Sequence, residues 1–143
     1  MNLTLLEPKY PHKSLKLLLF LNKVPAGFPS PADDYIEIQL DLNEYLVKHP
    51  SSTFYAKASG NSMINAGILD GALLVVDRSI EARDGDIVIA VINGELSCKI
   101  LDTRASVLRA ANLNYKPIPI NEDIDNISQG VVIHVVNTLC TRL

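Results

Sequence analysis

Two side chains in this sequence have the chemistry to open an acyl bond together. Ser62 lies in the run Ala58-Ser59-Gly60-Asn61-Ser62-Met63, directly after a stretch rich in strand-forming residues. Glycine at position 60 lets the backbone turn sharply, which can present a hydroxyl at a strand end and aim successive backbone N–H groups at one point, as an oxyanion hole requires. The same Ser-Gly-Asn-Ser run is also ordinary turn chemistry. A serine hydroxyl becomes a competent nucleophile only when a neighbour takes its proton, and histidine, a carboxylate or neutral lysine can do so.

The histidines are poorly placed for that task. His12 lies among prolines, His49 precedes Pro50 at a helix end, and His134 sits inside the apolar run Val131-Val132-Ile133-His134-Val135-Val136, where a satisfied sheet residue is the simpler reading. Lys99 is the better candidate. Strand alternation over 95–101 places Glu95, Ser97, Lys99 and Leu101 on one face and Leu96, Cys98 and Ile100 on the other. Read from the strand alone, Lys99 snorkels to water. To act as a base near neutral pH it would have to be buried, with its pKa lowered from roughly 10.4 by about 3, at a cost of about 4 kcal/mol. Cys98 and Cys140 form no CxxC pair and have no histidine at metal-ligand spacing, so they read as reduced and buried thiols, with neither a metal nor a cofactor implied.

The elements that must position these residues are mostly strands. Thr53–Ala58, Leu73–Asp77, Asp86–Ile92, Glu95–Leu101, Ser106–Ala111 and Val131–Asn137 are short, rich in Val, Ile, Leu and Tyr, and separated by turn residues. Between Ile92 and Glu95, Asn93-Gly94 supplies the positive φ angles of a two-residue type I′ hairpin. One helix is expected from an Asp41 N-cap, with Glu44 closing a capping box and Leu42, Tyr45 and Leu46 at helical spacing. It should stop near His49, because Pro50 restricts the residue before it. Residues 1–31, interrupted by Pro8, Pro11, Pro25, Pro29 and Pro31, read as a flexible N-terminal arm in which only Ser14–Asn22 has the character of a short helix or strand. Residues 32–143 read as the β-rich domain.

Composition narrows the function classes. At 48% hydrophobic and 20% charged residues the chain has a globular protein's make-up, and a net charge of −3 lacks the basic footprint of a phosphate-gripping protein. No apolar run approaches the roughly 20 residues that cross a bilayer. Lys13, Lys16, Leu17–Leu21 and Val24-Pro25-Ala26 superficially imitate a secretory signal, but the apolar part is too short and Glu7, Pro8 and Pro11 spoil it. The reduced cysteines favour the cytoplasm, where thiols stay free, and the small pair Ala26-Gly27 needs another explanation.

Ala26-Gly27-Phe28-Pro29-Ser30-Pro31, Gly60-Asn61-Ser62-Met63, Asp84-Gly85-Asp86-Ile87-Val88-Ile89-Ala90, Lys99 and Gly130-Val131-Val132-Ile133-His134-Val135-Val136 follow one another in an order that resembles the LexA/UmuD family of self-cleaving Ser-Lys peptidases, over roughly residues 26 to 137. The resemblance implies a mostly β peptidase domain of twisted antiparallel strands with one short helix and an extended N-terminal arm. It implies Ser62 as nucleophile, Lys99 as general base, the Ser62 and Met63 backbone N–H groups at the oxyanion, and Ala26-Gly27 as the bond cut. It further implies a homodimer, stimulation by RecA on single-stranded DNA in the SOS response, and service of the shortened form as accessory subunit of a UmuC-type translesion polymerase. Ala26 before the bond matches LexA-like members. Residues 1–25 have no such resemblance and are too few for a helix-turn-helix domain, so sequence-specific DNA binding is not expected. Two alternatives stand beside this reading: a non-enzymatic polymerase-binding module of the same fold, and a signal-peptidase-like enzyme acting in trans, against which the lack of a membrane anchor argues.

Overall fold

The computed structural model describes residues 1–6, 13–22 and 35–143, and the elements below are those of the described residues. In chain order they are β1 (Asn2–Leu6), β2 (Lys16–Asn22), β3 (Tyr35–Asp41), α1 (Leu42–Leu46), β4 (Thr53–Ser59), β5 (Leu73–Asp77), β6 (Ile87–Ile92), β7 (Glu95–Asp102), β8 (Val107–Arg109), β9 (Ile118–Pro119), α2 (Ile124–Ile127) and β10 (Ser128–Val136). The chain divides into two compact units, Met1–Pro8 with His49–Leu143, and Lys9–Lys48.

In the smaller unit β2 and β3 pair antiparallel from Lys16↔Asp41 to Asn22↔Tyr35. Asp41 then caps α1, accepting from the Asn43 N–H at 3.0 Å through one carboxylate oxygen and from Ser14 Oγ at 2.9 Å through the other. The helix is shorter than expected. It closes when the Val47 N–H donates to the Asn43 carbonyl with Val47 already extended, before the restriction at Pro50 comes into play. Two of the residues' elements within the span read as an arm are strands, β1 and β2, and β1 had no signal in the sequence pattern.

The larger unit is built on an antiparallel sheet in the order β1-β4-β5-β10-β6-β7-β8-β9. Asn2 pairs with Ser59 on β4 and also with Ser97 on β7, so β1-β4-β5-β10-β6-β7 closes on itself as a barrel. Alternation sorts the side chains. Phe54, Ala56, Ala58, Leu74, Val76, Ile89 and Cys98 form one core with Met63 and Ile68, while Val88, Ala90, Leu101, Leu108 and Val131 form a second against Ile118, Ile124 and Ile127. Leu96, Cys98 and Ile100 go to the first and Leu101 to the second, as the period of β7 requires.

The mostly β class read from the sequence, with its twisted antiparallel strands, is the class of the structure. β6 and β7 pair from Ile87↔Ile100 to Ile92↔Glu95, with φ of 52° at Asn93 and 78° at Gly94, the geometry of a type I′ turn. β8 is shorter than the expected Ser106–Ala111, because Ala111 leaves the ladder and its carbonyl accepts from the Asn65 N–H at 2.9 Å. Asp41, the expected N-cap, and Thr53, Asp77, Ser62 and Lys99 are the buried polar residues among those described.

Candidate active site

The backbone around Ser62 is anchored on both sides. β4 ends at Ser59, and Gly60 turns the chain with φ +93°, its N–H donating to Asp70 Oδ1 at 2.8 Å. The Asn61 carbonyl accepts from the Ile64 N–H at 3.2 Å and from Asn112 Nδ2 at 3.0 Å, while its side-chain Oδ1 accepts from the Tyr115 hydroxyl at 3.1 Å. On the other side Met63 is fully buried in the first core, and its carbonyl accepts from the Ala66 and Ile68 N–H groups. The Ala111 N–H points at Met63 Sδ, 3.4 Å away. Held between two fixed neighbours, Ser62 has little freedom to drift. Among the described residues the Ser62 and Met63 N–H groups donate to no protein acceptor.

β7 carries Lys99 to this turn. Its register opposite Val88 on β6 is set by the Asn93-Gly94 hairpin, and Lys99 Nζ lies 3.4 Å from Ser62 Oγ. Ser62 is 0% and Lys99 6% exposed. Burial pushes the Lys99 ammonium below the ordinary lysine value, because a charge inside the barrel wall loses its hydration; an attraction to Cys98 and a hydrogen bond with the α-amino group of Met1 act the other way. The attraction to Cys98 is slight in practice. Burial raises that thiol to about 12, so at neutral pH it carries no negative charge, and desolvation governs Lys99. The Met1 amine is itself lowered, by burial and then by the positive lysine beside it. A serine hydroxyl beside a lysine biased toward its neutral form is an arrangement in which the lysine can accept the hydroxyl proton.

The other sequence-predicted residues are distributed as follows. Ala26, Gly27 and His12 lie outside the described residues. His134 is on β10, in the wall between β5 and β6. His49 Nδ1 is 2.5 Å from Asp77 Oδ2, and Ser79 Oγ is 2.6 Å from Asp77 Oδ1. This is not a triad, because Ser79 Oγ also faces His49 Nδ1, at 3.1 Å; the one ring nitrogen meets both acid and hydroxyl, where relay chemistry needs one on each. Cys98 is buried and free as expected, whereas Cys140 is only half-buried, because it lies beyond β10 beside Arg142 Nε at 3.4 Å. Among the described residues no group of three His, Cys, Asp or Glu is placed to hold a metal ion, and no helix is long and apolar enough to cross a membrane.

Asp70, Asn112 and Tyr115, which hold the turn before Ser62, carry no signal of that role in the sequence. Asn112 and Tyr115 belong to Ala111-Asn112-Leu113-Asn114-Tyr115, a loop whose polar residues look like any turn until the fold lays it against Asn61.

A serine hydroxyl and a buried lysine stand together on a closed antiparallel barrel, an arrangement from which nucleophile–base chemistry can be built. The sequence matches the Peptidase S24-like family over residues 19–133, most of its length, and the chain belongs to that family. It is similar to Protein ImpA of Salmonella typhimurium, 54% identical over 83 residues that make up 58% of this chain and 57% of ImpA. Protein MucA of Salmonella typhimurium is 40% identical over 127 residues, 86% of this chain and 87% of MucA. The LexA repressor of Clostridium perfringens is 35% identical over 122 residues, 84% of this chain and 60% of the repressor. The match thus spans less than two thirds of ImpA and of that repressor, and more than two thirds of MucA.

Proposed function

We propose that this protein is a self-cleaving serine endopeptidase of the SOS response that cuts its own Ala26-Gly27 bond. The observation that carries the reading is the 3.4 Å approach of Lys99 Nζ to Ser62 Oγ inside a buried wall, in a member of a peptidase family. Neutral Lys99 takes the Ser62 proton as Oγ attacks the Ala26 carbonyl carbon. The Ser62 and Met63 N–H groups hold the resulting oxyanion. Collapse breaks the C–N bond, and Lys99 returns its proton to the Gly27 amine. Water, deprotonated by Lys99, then attacks the acyl-Ser62 ester and frees residues 1–26. Because the substrate is part of the same chain or of a partner copy, effective concentration is high, and control lies in geometry instead of affinity.

The same reading takes RecA on single-stranded DNA as the stimulus, a homodimer as the working form in the cytoplasm, and a UmuC-type error-prone translesion polymerase as the partner of the shortened chain. The similarity to MucA and ImpA supports that placement. Intact mass after incubation near neutral pH with RecA, single-stranded DNA and nucleotide, and separately at about pH 10, tests it. Loss of a mass equal to residues 1–26 in the parent, and in neither Ser62→Ala nor Lys99→Ala, is the expected result. A chain that stays whole under both conditions would overturn the peptidase reading in favour of a polymerase-binding module with this fold.

A further inference from the structure

For Ser62 to attack a peptide, a carbonyl must reach Oγ, yet Ser62 is wholly buried. What lies over the approach is the chain's own first strand. β1 pairs with β4 from Asn2↔Ser59 to Leu6↔Tyr55, and at Asn2↔Ser97 it also reaches β7, two residues from Lys99. Met1 Cα stands 3.9 Å from where a Cβ on Gly60 would be, so its backbone abuts the nucleophile turn. The side chains of Met1 and Leu3 pack on the core that contains Met63 and Cys98. β1 therefore fills the gap between the β4 edge and β7 at the level of the dyad.

That gap is where a substrate belongs. An extended peptide delivering a carbonyl to Ser62 must satisfy its backbone N–H and C=O groups, and the strand edges beside the nucleophile are the partners that can do so. β1 already uses them. Its hold is limited in area: Asn2, Thr4, Leu5 and Leu6 are exposed, leaving the β4 ladder, the Asn2↔Ser97 pair, the Ser59 hydroxyl donating to the Asn2 carbonyl at 3.2 Å, the Met1 amine against Lys99 and two part-buried side chains to keep it in place.

The geometry points to β1 as an internal competitor of the cleavage segment, a strand that closes the Ser62–Lys99 site and has to leave the β4 edge before any peptide can be cut. The inference rests on Ser62 being the nucleophile, and it makes displacement of residues 1–6 the regulated step. Release of β1 opens the barrel between β4 and β7 and turns the β4 edge into an acceptor for an extended segment.

Access to position 62 can be read without catalysis. In a Ser62→Cys chain, the rate at which iodoacetamide alkylates the new thiol, followed by the mass of the fragment bearing it, should rise at least about tenfold on deletion of residues 2–6. A synthetic peptide of residues 1–6, and not a scrambled one, should slow it again. A second form keeps every residue of the strand's backbone. Thr4 and Lys57 are exposed and directly opposite, so Thr4→Cys with Lys57→Cys allows a cross-strand disulfide, whose oxidation should slow alkylation at position 62 and whose reduction should restore it. Equal rates in oxidised and reduced forms, or an acceleration on deletion that the peptide does not reverse, would overturn the inference. Because the readout needs no cleavage, a chain that never cuts itself yet shows this gating would reject the peptidase function alone. In the uncut parent background, with Ser62 present, the oxidised disulfide should stop self-cleavage and reduction should restore it.

Discussion

Lys99 Nζ stands 3.4 Å from Ser62 Oγ although the two residues are 37 apart in sequence and lie on different sides of the barrel's closure. Proton transfer between them accounts for the proposed chemistry, so each is expected to be indispensable. Ser62→Ala should abolish self-cleavage, and Lys99→Ala should slow it by at least about 100-fold, the usual scale of a general base. Lys99→Arg should fail as well, since a guanidinium stays protonated and cannot accept the serine proton. Intact-mass time courses decide all three; cleavage retained by Lys99→Arg would remove the lysine from the mechanism.

The rate should climb with pH. Burial lowers the Lys99 pKa from 10.5, so the neutral, proton-accepting fraction grows as pH rises and saturates at the folded pKa, below the value of free lysine. The same shift acts on stability with a definite sign. Between the folded pKa and 10.5 the unfolded chain binds the extra proton, so stability rises with pH through that window, and below it the buried cation remains a constant penalty. Lys99→Met should therefore raise the urea unfolding free energy near neutral pH by about 1–3 kcal/mol while ending cleavage. A loss of stability in that variant would show the lysine to be structurally required.

Asn112 donates to the Asn61 carbonyl and Tyr115 to the Asn61 side chain, and together they hold the residue that precedes Ser62. Removing one such hydrogen bond is worth about 1 kcal/mol, so Asn112→Ala should reduce the cleavage rate about fivefold to tenfold, and Tyr115→Phe by less. Thermal unfolding should change little, because Tyr115 is exposed, Asn112 is only half-buried and both hydrogen bonds lie at the surface. A large fall in melting temperature with an unchanged cleavage rate would assign them to folding instead.

Asp77 has a buried carboxylate. Burial works to raise its pKa, but the Ser79 hydroxyl and amide and the His49 ring more than offset this and hold it below the ordinary value of 3.8. Its contribution to stability is present above that value and lost as pH falls through the lower folded pKa. Asp77→Ala should cost about 1–3 kcal/mol near neutral pH and flatten the acid limb of the stability curve. Urea titrations at several pH values below about pH 5 test this, and parallel acid limbs in parent and variant would rule it out.

Gly130 sits where β10 is bulged between β5 and β6, with φ +147°. A Cβ there would lie 2.8 Å from Val76 Cγ1 and 3.1 Å from the Asp77 carbonyl oxygen. Gly130→Ala should destabilise by about 1–3 kcal/mol, since backbone strain adds to a contact that a packed strand cannot relieve. Chemical denaturation with an unchanged midpoint would show that β10 shifts freely.

Much of the fold was legible because its signals are local. The Asn93-Gly94 turn announces its own φ angles, and the alternation of Leu96, Cys98 and Ile100 against Leu101 sorts β7 between two cores. Asp41 capping α1 follows from side-chain chemistry one turn away. β1 was not legible: Asn2–Leu6 has no strong alternation and lies in a stretch whose prolines read as an arm, and it is a strand because the distant β4 edge offers partners at Tyr55–Ser59. Asn112 and Tyr115 were missed for the same reason, as their role exists only against Asn61.

By itself the sequence determined that the chain is mostly β, that Ser62 follows a strand at a glycine turn, and that Lys99 rides in a hairpin whose register the Asn-Gly turn sets. Those are properties of neighbouring residues and side-chain period. Only the tertiary structure decided that Lys99 is buried against Ser62 instead of snorkelling to water, and that the strand of residues 2–6 pairs with both β4 and β7. Burial and long-range strand pairing are set by which distant edges meet, and no local pattern carries that information.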